Sequence, residues 1–194
     1  MTTHEEVAAA ECLAFVNDTI RDLEASPPDV IVLASSTSGY LVGSYALQDP
    51  STEEPASVDD RVQVWELAQE RVLTRLAATG SRVILISEVT KPVNWNNSAT
   101  CSQLAIILHP ERCGFADFDS HGEAPQRSAH AAEAQAASST GIEVWDFSDQ
   151  ICPTGRCTAR GAGQMVWRDQ NHISIATSTA LVKRTAELLR IPPA

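Results

Sequence analysis

The chain has 194 residues, 43 % of them hydrophobic and 20 % charged, which suits one globular domain with a buried core and excludes disorder, collagen and coiled coil as whole-chain readings. Its 25 acidic residues against 14 basic ones leave a formal net charge of -11, and a surplus of that sign argues against a nucleic-acid partner, which needs a basic face. No apolar run approaches the roughly 20 residues that span a bilayer.

The N-terminus, Met1 to Glu6, is polar and lacks the charged-then-apolar order of a signal peptide. Residues 5–25 read as an amphipathic helix, because Leu13, Val16, Ile20 and Leu23 recur at helical spacing. Pro27 and Pro28 end it. Val30 to Ala34 follows, apolar without alternation, as a strand covered on both faces reads. Residues 35–58 read as a long loop that opens Ser-Ser-Thr-Ser-Gly-Tyr and continues acidic from Asp49 to Asp60. A helix is expected over 59–79, with Val62, Trp65, Leu73 and Leu76 near one face and Gly80 as its stop. Arg82 to Ile86 is a second strand. Residues 88–121 look irregular, 123–139 are Ala-rich and helical, and Ile142 to Trp145 is a third strand. A last helix runs from about Ser174 to Leu189.

Strand and helix alternate, so the fold class is α/β, and right-handed crossovers make the three strands parallel. In such sheets ligands bind beyond the carboxyl ends of the strands. The loops there are 35–45, 87–100 and 146–172, which hold the unusual residues.

Five cysteines are an odd count. Cys101 and Cys113 flank one segment, Cys152 and Cys157 another, and Cys12 stands alone. No pair has zinc-knuckle spacing and no His pair sits near them, so no metal site is expected. Two local disulfides, worth about 2 and about 3 kcal/mol by loop entropy, and five reduced thiols in a reducing compartment both remain open on spacing. Asp169 and His172 are three apart, just ahead of the final helix. An Asp beside a His can fix the imidazole tautomer and leave the other nitrogen as a base. The same spacing also occurs as a helix-entry Asp with an exposed His. His109, His121 and His130 read as solvated, and Trp95 and Trp167 as core before cleft. No Gly-rich phosphate loop follows a strand, and no cofactor is expected.

The stretch Gln164-Met165-Val166-Trp167-Arg168-Asp169-Gln170-Asn171-His172-Ile173-Ser174, behind a C-x(4)-C loop at Cys152 and Cys157, resembles the end of an SGNH-hydrolase-like domain. More narrowly, it is similar to the C-terminal domain of bacterial membrane acyltransferases of acyltransferase family three. There an aromatic-R-D-x-x-H-L-[ST] segment carries the catalytic Asp and His, and Ile173 here replaces the usual Leu. Cys12-Leu13-Ala14-Phe15, then Pro28-Asp29-Val30-Ile31-Val32-Leu33-Ala34, then Val83 to Pro92 and Cys101 resemble the family's earlier blocks in the right order.

The resemblance implies a single three-layer, flavodoxin/SGNH-like domain over 1–194 with a mostly parallel sheet. It implies transfer of an acyl group, acetyl by expectation, onto a carbohydrate hydroxyl, with Asp169 and His172 catalytic. It implies a membrane-embedded acyltransferase domain as partner and a place on the extracytoplasmic face of a bacterial membrane. Two departures stand out. The family's G-D-S block, which supplies the nucleophilic Ser, has no match, so the sheet is expected to lack its N-terminal half and the isolated chain to be inactive. Val42-Gly43-Ser44 reads as ordinary loop. Where the wider superfamily has G-x-N, this chain has Ser35-Ser36-Thr37, so Ser35 and Ser36 are the candidates for oxyanion or substrate contact. The expected edge at Val30 to Ala34 would invite a second copy. The alternative function is a non-catalytic glycan-binding or docking module of the same fold.

Overall fold

The computed structural model describes residues 4–42, 47, 57, 60–92, 102–113, 115, 118–161, 163–169 and 171–189. In chain order the elements are α1 (His4–Ala25), β1 (Val30–Ala34), α2 (Thr37–Val42), α3 (Arg61–Ala77), β2 (Arg82–Ile86), α4 (Gln103–Leu108), a 3-10 turn at Pro110–Cys113, β3 (Phe118–Asp119), α5 (Ala124–Thr140), β4 (Glu143–Trp145), α6 (Ser148–Ile151), β5 (Arg156–Cys157), β6 (Arg160–Gly161), β7 (Gln164–Met165) and α7 (Ile175–Leu189). They group into two compact units, Met1–Ile86 with Ala131–Trp145, and Ser87–His130 with Asp146–Ala194.

The first unit holds the parallel sheet, in the order β1-β2-β4. Its register sets Ile31 beside Val83, Leu33 beside Leu85, and Leu85 beside Val144. Alternate residues of a strand share a face, so these five line one side. They pack with Ile20 and Leu23 of α1, Val72, Leu73 and Leu76 of α3, and Ala136 and Ala137 of α5. Alanines on α5 let its backbone approach closely. Ile84 points to the other side of the sheet and is also fully buried, so β2 is covered on both faces.

β1 differs from its expected environment. Ile31 is buried, but Val32 is 46 % exposed and Ala34 is exposed. The reason is position: β1 pairs with β2 alone and forms an edge among the described residues. α1 turns Ile20 inward but not the apolar residues a turn or two before it. Ile20 is buried, whereas Leu13 and Phe15 are 63 % and 71 % exposed. Glu24 at its end takes a two-pronged ion pair from Arg75 of α3, at 2.8 and 2.9 Å. α2 was not legible as a helix. It is held against α3 by Tyr40 stacked on Trp65, ring centroids 4.9 Å apart, and by Arg61 donating to the Leu41 carbonyl.

The second unit is irregular and is held by local ties. Cys152 and Cys157 are disulfide-bonded and buried. Gly155 turns the loop between them with φ of 72°, a conformation that L side chains rarely adopt, while its amide bonds to the Cys152 carbonyl at 2.9 Å. Cys113 is also disulfide-bonded; Cys101 lies outside the described residues, as do Trp95 and Ser44. Cys12 is a free, exposed thiol. The segment after β2 is clamped by α5: His130 Nε2 meets the Glu88 carbonyl at 2.8 Å, and Gln126 donates to the Lys91 carbonyl at 3.3 Å. Buried Glu88 pairs with Lys91.

The sheet core is therefore anchored at β2. Leu85→Ala should cost about 2–5 kcal/mol, as buried Leu deletions do. Val32→Ala, on the open side of β1, should cost under about 1 kcal/mol. Urea unfolding of both variants checks the contrast.

Candidate functional site

The site is built on a short stretch between β7 and α7. Val166 amide bonds to the Ala159 carbonyl at 3.0 Å, and Trp167 forms a bridge with Ile173. Trp167 is buried, its ring 5.7 Å from Phe118, which in turn packs 5.7 Å from Phe115. This aromatic group is core, as expected for Trp167. It fixes the strand on which the next residues ride.

Asp169 then organises the loop. Its Oδ1 accepts the backbone N–H of Asn171 at 2.8 Å and that of His172 at 2.9 Å. The Arg168 amide donates to the His172 carbonyl at 2.8 Å. These bonds close a tight turn that brings the His172 ring back over the Asp169 carboxylate. Nδ1 of His172 lies 2.7 Å from Oδ1 and 2.9 Å from Oδ2. A carboxylate accepts only, so Nδ1 carries the proton and Nε2 is left as the basic nitrogen. Among the described residues no group hydrogen-bonds Nε2. The His172 side chain is 67 % exposed and that of Asp169 is 27 % exposed.

Ser174 and Thr177 lock the start of α7. Ser174 Oγ donates to the Met165 carbonyl at 2.6 Å and accepts the Thr177 amide at 3.1 Å, while Thr177 Oγ1 donates to the Val166 carbonyl at 2.9 Å. His172 thus sits between a strand and a helix that are stapled together. It lines an open cavity of about 380 Å³. Val89, Ile173 and Ile175 give that cavity apolar wall, and Asn171, Ser178 and Thr179 give it polar groups.

Burial pushes the Asp169 carboxyl up, but the Asn171 amide, the His172 ring and the His172 amide together outweigh it, and the group lies below its ordinary range. An ionised, hydrogen-bonded Asp is what orients a catalytic imidazole.

Ser35 and Ser36 fall in the first unit, directly after β1 at its carboxyl end. Ser35 is half-buried and Ser36 is exposed. Ser35 Oγ is 2.7 Å from Thr37 Oγ1, and Thr37 Oγ1 donates to Glu133 Oε1 at 2.5 Å. Sequence reasoning missed Thr37 and Glu133. A signal existed: Glu133 lies on the stripe of α5 that carries Ala129, Ala132, Ala136 and Ala137, all buried. A charged residue on an apolar stripe needs a partner. His109 and His121 are exposed. No group of three or more His, Cys, Asp or Glu among the described residues could hold a metal ion.

The parallel sheet with its crossover helices makes this an α/β domain. Residues 2–187 match the family described as SGNH domain (fused to AT3 domains), and the chain belongs to that family. It is thus a hydrolase-like module of a kind associated with membrane acyltransferases. No helix among the described residues is long and apolar enough to cross a membrane. No curated protein and no solved structure matches the chain.

The low-lying Asp169 makes the turn sensitive to acid. Its ionised form is favoured by folding, so its contribution to stability is fully present above the ordinary value of 3.8 and is lost as pH falls through the lower folded value. Asp169→Asn should therefore destabilise by about 1–2 kcal/mol at pH 7. The difference from wild type should shrink as pH falls below 3.8. Thermal melts of both proteins across pH check it.

Proposed function

We propose that this domain supplies the base half of a Ser-His-Asp acyl transfer onto a carbohydrate hydroxyl, with acetyl the acyl group. The observation that carries the reading is the Asp169–His172 geometry, with Nδ1 held by the carboxylate and Nε2 left unbonded on a residue that lines a cavity. In the reaction a serine hydroxyl attacks the acyl carbon as Nε2 takes its proton. The donor's leaving group then takes that proton back. The acceptor hydroxyl next attacks the acyl-serine, again giving its proton to Nε2, and the serine leaves with the proton restored. Asp169 orients the ring and stabilises its charged form. The membrane acyltransferase domain is the partner, and the acceptor is a polysaccharide on the extracytoplasmic side.

The test uses the protein that carries this domain together with its acyltransferase domain. His172→Ala should lower acetyl transfer to carbohydrate by about 10³–10⁴-fold, with protein abundance unchanged. The 194-residue chain alone should take no serine label from a fluorophosphonate probe, since no serine hydrogen-bonds Nε2 among the described residues. Retained transfer in the His172 variant would remove His172 from the chemistry, and stoichiometric labelling of the isolated chain would place the nucleophile within it.

One observation favours the docking alternative. Among the described residues β1 offers an unpaired edge with no Lys, Pro or bulge to block it. If that edge recruits a second copy, sedimentation of the isolated chain should show concentration-dependent association that Val32→Lys reduces. A monomer at all concentrations would count against it.

A further inference from the structure

The acyl-transfer reading leaves the buried acid Glu133 unused. Glu133 is fully buried on α5, and so is Thr37 at the start of α2. Burying a carboxylate is costly unless hydrogen bonds satisfy it. Here part of that satisfaction comes through a hydroxyl that in turn reaches a third group nearer the surface. Thr37 has one proton, and it is committed to Glu133 at 2.5 Å. The Thr37 oxygen can then only accept from Ser35, 2.7 Å away. So the Ser35 proton points inward, to Thr37. Ser35 Oγ is left presenting lone pairs alone from a half-buried position directly after β1. The carboxyl end of a strand in a parallel sheet is where ligands bind.

We propose that Ser35, Thr37 and Glu133 form a hydroxyl-recognition subsite, in which Ser35 accepts a hydrogen bond from an O–H of a polyol ligand and disfavours anions. The relay gives the serine a fixed polarity. A lone serine would rotate to donate or accept as the ligand required. This one, wired to a carboxylate, acts as an acceptor through its side chain. α2 is braced against α3 through Tyr40 on Trp65, which keeps Thr37 in place without a ligand.

The subsite is independent of the Asp169–His172 pair, and its test needs no catalysis. The probes are methyl β-glucoside, which can donate, and acetate, which can only accept, each titrated into the 194-residue chain at pH 7 with backbone amide shifts read by NMR. Methyl glucoside should move the amides of residues 35–38 in a saturable way, and acetate should leave them still. Ser35→Ala should abolish the response, Thr37→Ser, which keeps the hydroxyl, should retain the wild-type pattern, and Thr37→Val, which frees the Ser35 proton, should let acetate respond as well. Glu133→Gln can donate to Thr37 and so release the Ser35 proton; in that variant acetate should gain a response. Asp169→Asn should change nothing at 35–38. Thermal melts report whether each variant folds, and the Ser35→Ala and Thr37→Ser pair suffices if Glu133→Gln does not. A glucoside response that survives Ser35→Ala, the absence of any response in the wild type, or an acetate response equal to that of glucoside would overturn the proposal.

Discussion

Parallel pairing is the constraint on which the rest of this architecture depends. Two parallel strands cannot be joined by a tight turn; the chain must cross back over the sheet before the next strand begins. α3 makes that return between β1 and β2, and α5 makes it before β4. The crossover helices then have an obligatory apolar face, which is why Leu73, Leu76, Ala136 and Ala137 are buried in one cluster with Val83 and Leu85. The same constraint leaves all three strands ending on one side. Thr37 of α2 and Ser35 stand just past β1, and the chain passes into the second unit after Ile86 and again after Trp145.

The second unit has no comparable sheet. Two-residue ladders and side-chain ties take its place. What makes this sufficient is that each tie gives a backbone carbonyl a side-chain partner. Thr90 donates to the Ser120 carbonyl, His130 reaches that of Glu88, and Ser174 and Thr177 take those of Met165 and Val166. Buried backbone carbonyls left unpaired would each cost on the order of 1–3 kcal/mol. Polar side chains therefore do in this unit what strand pairing does in the other.

Legibility in the sequence followed the same division. β1, β2, α3, α5 and α7 were placed within a residue or two, the strands from short unbroken apolar runs and the helices from helical spacing or Ala-rich composition. Whether a strand would be covered on both faces was not legible. Val30 to Ala34 and Val83 to Leu85 look alike in composition, yet Val32 is open and Ile84 is buried. Composition reports what a strand can tolerate, and sheet order decides what it meets. α2 was missed because Thr37 to Val42 has no helical period and is held by Trp65 and Arg61, far along the chain. Of the site, Asp169 and His172 were legible because their contact is local, three residues apart. The Thr37–Glu133 contact spans 96 residues; the stripe of α5 shows that Glu133 needs a partner but not which residue supplies it.

Two carboxylates illustrate how burial assigns roles. Asp169 is partly exposed and satisfied by two amides and an imidazole, all from its own turn. Its donors are there whether or not a ligand is bound, so it can stay ionised and hold a ring that must gain and lose charge. Glu133 is fully enclosed and takes a bond from a neutral hydroxyl. A proton on Thr37 cannot serve two acceptors, so the direction of that bond is passed outward to Ser35. Asp169 fixes the proton on a ring of its own turn and adds its charge, which solvent and salt weaken. Glu133 fixes the proton of Thr37 and, through it, that of Ser35, because each hydroxyl in the relay has only one proton to give.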